Sequence, residues 1–500
     1  MMKFLTILLL LFPFILNAQI RQEVRAVWIT TAFNLDWPKS FSESGQQKEI
    51  TSLLDKLTDA NFNTVMLQVR ARGDAIYPSE IEPWSKSLTG DMTVSPGYDP
   101  LKFIIDEAHN RGLEIHAWWN VYKIWGKTEI NKSVSKHILL KHPELCKEYD
   151  NEWWMDPGIP GTTDYLLKTA LEIVKNYNLD GLNLDYARYP GNDFQDNETY
   201  SRYGNGIGKD KWRRSNITNY IEALFDSIQQ IKPMLKLGCA PVGIYKNFKG
   251  KLKGWQAYSD VYQDPVKWAL DKKLDYITPQ TYWKIFSTAN FTLTIKNWKE
   301  LIPDRQIYPG IAVFKLIKSE GNWPTDEIKE QITATRKNGM HGVIFFRAEY
   351  LYENKKYITD LLKNNEFKYP SNIPAMPWKD NICPLPPKGL NFTQNSDDKP
   401  ILSWSTPDKS IDGDTAKYYN IYYSSSSQVD ISDPVNIFKI RIPAKQKSIK
   451  LDSLKQSFTN IYFVVTSLDK GNNESIPSNE ITIHNKNLRN PYTIVKGLKD

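Results

Sequence analysis

Leu179-Asp180-Gly181-Leu182-Asn183-Leu184-Asp185-Tyr186-Ala187-Arg188-Tyr189-Pro190 is the stretch that decides the fold. Leu182 and Leu184 alternate with Asn183 and Asp185, the period of a short buried strand with a polar opposite face. Tyr189-Pro190-Gly191-Asn192 then reads as a turn. Asp185 falls at the carboxyl end of that strand, with Arg188 three residues on. A carboxylate there is costly to bury unless something hydrogen-bonds it or uses it. It either tethers the following loop or acts as a catalytic carboxylate at the top of a β/α barrel.

The flanking chain repeats the strand-then-helix pattern. Val24–Thr30, Thr64–Arg70 and Leu113–Asn120 read as strands one to three, with apolar helical faces over Gln46–Ala60 and Pro100–Arg111 between them. An insertion around Trp125, Trp153 and Trp154 precedes a helix over Thr163–Tyr177 and the opening stretch as strand four. Asn216–Ile231 is the next helix, followed by strand five at Lys236–Val242 and a helix at Val266–Lys272. Strand six is expected over Tyr276–Trp283, strand seven over Ile307–Phe314 and strand eight over Gly342–Phe346. Helices are expected over Phe291–Leu301, Thr325–Asn338 and Lys355–Leu362. Eight alternating units predict a (β/α)8 TIM barrel, whose active site lies at the carboxyl ends of its strands. The competing open, doubly wound sheet lacks support, because Trp28-Ile29-Thr30-Thr31-Ala32-Phe33 offers no glycine-rich phosphate loop.

The 500 residues exceed one ordinary core, so more than one domain is expected. Met1 to Ala18 has the shape of a secretory signal peptide, giving an exported chain (periplasmic, outer-envelope or extracellular) with no transmembrane segment after cleavage. Residues 19–365 form the barrel, and the proline-rich 366–388 reads as a stiff linker. From 389 to 486 the period changes to two, as in a small all-β sandwich, and 487–500 is a tail. Gly389-Leu390, Trp404 and Tyr462-Phe463-Val464-Val465-Thr466-Ser467-Leu468-Asp469 resemble a fibronectin type III domain, which serves either as a spacer or as a glycan-binding module.

Net charge is +7 without a dense Lys/Arg block, which argues against nucleic acid. Three widely spaced cysteines exclude a disulfide framework, and no Cys/His cluster has zinc spacing, so neither metal nor cofactor is expected. The 16 Trp and 27 Tyr suit either a large core or sugar-stacking surfaces.

Strand exits supply the candidate site: Arg70 and Asp74 after strand two; His116, Trp118 and Asn120 on strand three; Asn183, Asp185 and Arg188 around strand four; Gln280, Tyr282 and Trp283 after strand six; Arg347 and Glu349 after strand eight. Sugars need such polar groups for their hydroxyls and aromatic rings for their C–H faces. Glycosidic cleavage needs two carboxyl groups. Asp185 is the first; Glu349 is the provisional second, ahead of Asp74. Asp264 reads as a helix cap, and Glu152, in the insertion, has no assigned place. The substrate expected is a polysaccharide, and the alternative is a glycan-binding protein that has lost its acid.

These residues also carry a resemblance. Gln68-Val69-Arg70-Ala71-Arg72-Gly73-Asp74-Ala75-Ile76-Tyr77-Pro78, Glu82-Pro83-Trp84-Ser85, Pro96-Gly97-Tyr98-Asp99-Pro100-Leu101, Ala108 to Asn120, Met155-Asp156-Pro157-Gly158, Asp180 to Pro190 and Pro279-Gln280-Thr281-Tyr282-Trp283 resemble the glycoside-hydrolase-like family 10. The resemblance implies an exported barrel glycosidase, some relatives of which act on peptidoglycan glycan strands. Asp185 falls where related α-amylase-type barrels hold their nucleophile. Cys239-Ala240-Pro241-Val242-Gly243 lacks the Glu that those enzymes carry after strand five, and Ala187 stands where chitinase-like barrels have theirs.

Overall fold

The computed structural model describes residues 21–126, 128–248, 252–394, 400–451 and 460–484. The expected signal peptide and the 487–500 tail lie outside them. The main sheet contains nine parallel segments, two of which, Gln306–Ile307 and Gly310–Ala312, occupy one position. The strands are β1 Val24–Ile29, β2 Thr64–Arg70, β3 Glu114–Asn120, β4 Gly181–Asp185, β5 Lys236–Cys239, β6 Tyr276–Ile277, the divided β7, and β8 Gly342–Phe346. Val24 pairs with Gly342 and Ala26 with Thr64, while Tyr276 pairs with Gln306 and Gly310 with Ile344. The sheet is therefore closed: a β/α barrel.

β6 and β7 are shorter than their sequence suggests. Pro279 and Pro309 have no N–H for the ladder, yet the chain stays in place through Gln280 N–H to Pro241 O (3.0 Å) and Gly310 N–H to Pro279 O (2.9 Å). Helices α1 Glu43–Asp59, α2 Pro100–Asn110, α3 Pro160–Asn176, α4 Lys209–Ile231, α5 Pro265–Leu270, α6 Phe291–Leu301 and α7 Thr325–Lys337 accompany the strands. Leu182 and Leu184 join the core under these helices, as their alternation requires.

The inward residues fill the barrel in layers. Glu114 and Lys236 pair at 2.7 Å near its floor. His116 and Tyr276 sit above them, then Trp28, Trp118 and Asn183, with Asp185 and Gln280 at the rim.

Residues 366–388, read as a stiff linker, also pack against the barrel. Prolines keep this segment extended, and Ile373 and Met376 plug the barrel floor beside Val24, Tyr308 and Ile344. Trp378 Nε1 donates to Asp275 (2.9 Å), and Asn372 bridges the start of β1.

Beyond this strap are two antiparallel sheets. One holds Lys388–Gln394, Pro400–Ser405 and Ser448–Lys450; the other holds Ile437–Pro443, Tyr418–Ser424, Asn460–Leu468 and Ile481–His484. Leu402, Trp404, Tyr419, Ile421, Phe463 and Val465 fill the core between them. This unit is docked on the barrel: Lys417 Nζ is 2.5 Å from Asp180, Arg441 donates to Gly112 O (2.6 Å), and Asn472 donates to Glu114 (2.9 Å). Burial pushes the Asp180 carboxyl up, but Lys417 and His109 outweigh it and hold it well below its ordinary range. Lys417→Met should therefore destabilise the chain by about 1–3 kcal/mol, the cost of stranding part of a buried charge. Its denaturant midpoint checks this.

Candidate active site

Asp185 ends β4 directly opposite Asn120 of β3. It is 8% exposed. Its Oδ1 accepts the N–H of Tyr186 (2.7 Å) and the side-chain amide of Gln280 (3.3 Å). The loop-tether reading is thus partly true, but the surroundings go further. Burial pushes the carboxyl up to about 6, against the opposing pull of the Tyr186 N–H, Arg188, the Trp118 indole and Lys123. Tyr186 adopts φ +51°, a left-handed conformation that strains a bulky residue.

Around this carboxyl stands an aromatic and cationic group. The Arg188 guanidinium lies 5.0 Å from the Tyr186 ring, 5.2 Å from Trp154 and 4.9 Å from Trp255, which is half exposed. Lys123 sits 5.1 Å from the Tyr186 ring and 2.6 Å from Glu152. The Tyr282 ring stacks on Phe346 at 5.7 Å, and the charge of Asp185 helps hold its phenol protonated, after burial. Trp283 packs half buried against Gly243, where an added Cβ would stand 2.6 Å from its ring. At the neighbouring exits, Arg72 lies between Phe33 (4.4 Å) and Trp125 (4.8 Å).

Asp185, Trp118, Arg188, Gln280 and Tyr282 are therefore brought together. Asp74 and Asn120 shape the adjoining loop: Asp74 Oδ1 accepts the N–H groups of Ala71 (3.2 Å) and Arg72 (2.8 Å), and Asn120 donates to Ala71 O (2.8 Å). Asp74 Oδ2 and Asn120 Oδ1 are buried with no hydrogen-bond partner among the described residues.

Three expected substrate contacts are corrected. Arg70 is fully buried and grips Glu82 through Nε (2.8 Å) and Nη2 (2.6 Å) while also donating to Val121 O. The cause is a register shift: Gln68 pairs with Trp118, yet Arg70 pairs with Trp119, so a bulge turns Arg70 out of the barrel. His116 is buried one layer down, 2.8 Å from the Tyr276 hydroxyl and 3.2 Å from Glu114. Asn183 is buried too, accepting from Trp28 Nε1 (3.3 Å) and donating to Thr278.

Glu349 lies on the short helix Ala348–Tyr352 beyond β8, where Arg347 (2.8 Å) and Lys39 (3.2 Å) hold its carboxylate. Arg347 in turn pairs with buried Asp36 at 2.6 Å. The charges acting on Asp185 are a different set.

Sequence reading gave no site role to Lys123, Glu152, Trp154 or Trp255. The first three come from an antiparallel sheet of Lys123–Trp125, Glu152–Met155 and Cys146–Tyr149 built within the insertion. The short aromatic run Trp153-Trp154 was the available signal; its pairing partner was not. A separate acidic group, Asp380, Asp412 and Asp414, with carboxylate oxygens within 4.8 Å of one another, lies between strap and sandwich, away from this site.

Comparison with known proteins identifies the family. The chain is 33% identical over 491 residues to glycosyl hydrolase YngK of Bacillus subtilis, covering 94% of this chain and 95% of that one. It is 34% identical over 371 residues to glycosyl hydrolase DigH of Escherichia coli K12, covering 67% and 84% respectively. Among solved structures, the glycoside hydrolase domain of PgaB from Bordetella bronchiseptica matches with a TM-score of 0.48 at 12% identity, over 68% of this chain and 98% of that one. The glycosyl hydrolase-like 10 family model matches residues 23–325, and the chain belongs to that family.

Proposed function

We propose that this protein is an exported glycoside hydrolase that cleaves a polysaccharide, a peptidoglycan-type cell-wall glycan above others. The observation that carries the reading is the Asp185 carboxyl, held up to about 6 by burial, at the rim of a barrel among aromatic rings and hydrogen-bond donors. A carboxyl that keeps its proton up to about pH 6, well above the ordinary carboxylate range, suits the general acid, which must give its proton to the departing sugar oxygen. The resemblance to α-amylase-type barrels implied a nucleophile at this position; the upward shift favours the acid instead. Trp118, Gln280, Tyr282 and Trp283 would form the sugar-facing wall, with Asp74 and Asn120 supporting it and Arg188 clamping the strand-four exit. Glu349 belongs to the charge network of Arg347, Lys39 and Asp36 beyond β8, which fits charge balance there better than catalysis beside Asp185.

Two relatives named glycosyl hydrolases support a glycan substrate. Among the described residues, no helix is long and apolar enough to cross a membrane. For the C-terminal unit we favour a fibronectin type III-like spacer, since its three-plus-four strand arrangement suits that fold. The missing Glu after β5 supports a second reading, a glycan-binding protein without turnover.

Incubating the protein with purified peptidoglycan strands and a panel of plant and storage glycans separates the two. Hydrolysis is expected to create new reducing ends in at least one glycan. Retention of a glycan on the immobilised protein, with no new ends, would favour the binding reading.

A further inference from the structure

The insertion sheet carries a carboxylate toward the residues that follow Asp185. Its middle strand is Glu152–Met155. Successive side chains of a strand point to opposite faces, so Glu152 and Trp154 share one face and Trp153 and Met155 the other. Trp153 faces away, against Trp125 and Met92. The Trp154 ring lies 5.7 Å from that of Tyr186 and 5.2 Å from the Arg188 guanidinium, which fixes the direction of the face. Glu152 Oε1 is 2.6 Å from Lys123 Nζ, and Lys123 itself lies over the Tyr186 ring. The charges of Glu152 and Asp185 both act on Tyr186 and on Arg188. The Glu152 side chain is 36% exposed, so water reaches it.

We propose that Glu152 is the second catalytic carboxylate, the general base that activates the attacking water. This rests on the hydrolase reading above. Glu152 takes a proton from water as the water oxygen bonds to the anomeric carbon. The glycosidic C–O bond breaks, its electron pair goes to the leaving oxygen, and Asp185 supplies that oxygen with a proton. Both carboxyls then return to their starting states by proton exchange with solvent. A base acting through water gives inversion at the anomeric carbon. Lys123 orients Glu152, and Arg188, held among three aromatic rings, feels the charge of both acids.

The test uses full-length protein and peptidoglycan glycan strands, with folding of each variant checked by circular dichroism. Glu152→Gln should lower kcat by about a hundredfold or more, the usual worth of a general base, with KM little changed. Sodium azide needs no base, so it should restore turnover of Glu152→Ala and yield a glycosyl azide, but should not rescue Asp185→Asn. NMR of the first products of the wild type should show the inverted anomer. Glu152→Gln within threefold of wild type overturns the assignment. So does a Lys123→Met variant that loses as much as Glu152→Gln while Glu152→Ala gives no azide product, since Glu152 would then be only a tether. A wild type that binds strands and cuts none overturns the hydrolase reading itself, a result distinct from either.

Discussion

Asp185→Asn is expected to abolish glycan hydrolysis and, at neutral pH, to make the protein more stable. Both effects have one origin. Burial raises this carboxyl from 3.8 to about 6, so the folded chain holds the proton more tightly than the unfolded chain does. The neutral carboxyl contributes in full below about pH 4, and that contribution is lost as pH rises through about 6. Above that pH the native state carries a poorly solvated carboxylate, at a cost on the order of 2–3 kcal/mol. Asparagine removes the charge and keeps an oxygen for the Tyr186 N–H. The gain should therefore appear as a higher denaturant midpoint at pH 7.5 and vanish by pH 4. The wild-type rate should fall as pH rises through about 6, where the acid loses its proton. A variant that is less stable at pH 7.5, or that turns over at the wild-type rate, would contradict this account of Asp185.

Glu82→Leu should be the most destabilising single change near the barrel top. Arg70 and Glu82 are both fully buried and paired at 2.6 Å, with the Tyr165 hydroxyl also bonded to Glu82. Removing Glu82 leaves an uncompensated guanidinium in the core, which costs about 3–5 kcal/mol. Replacing both partners, as in Arg70→Met/Glu82→Leu, should recover most of that loss. The double variant should also keep its KM for glycan, because Arg70 faces away from the barrel interior. Chemical denaturation of the two single variants and the pair measures the coupling. A tenfold rise in KM with unchanged stability would return Arg70 to the substrate.

Much of the architecture was legible because the barrel strands carry their phase in sequence. Leu182 and Leu184 point to the helices and Asn183 and Asp185 inward, and the exit of β4 follows directly. Alternation gives direction but not depth. His116 and Asn183 point inward as expected, yet they lie below the rim, where neighbouring side chains bury them. It also gives no warning of a bulge, which is why Arg70 faces the other way. The strap shows a related limit: prolines announce an extended chain, but not that Ile373 and Met376 will close a barrel floor. Glu152 was illegible because its position depends on pairing within an insertion, between Lys123 and Trp154 and between Tyr149 and Glu152. No local pattern sets that pairing.

The most direct test of the central claim is the mass spectrum of purified peptidoglycan strands after incubation with the wild-type protein. The account predicts fragments that each carry one added water per cut bond and a new reducing end, absent with Asp185→Asn. Strands that bind the protein and are recovered at their original mass would contradict it.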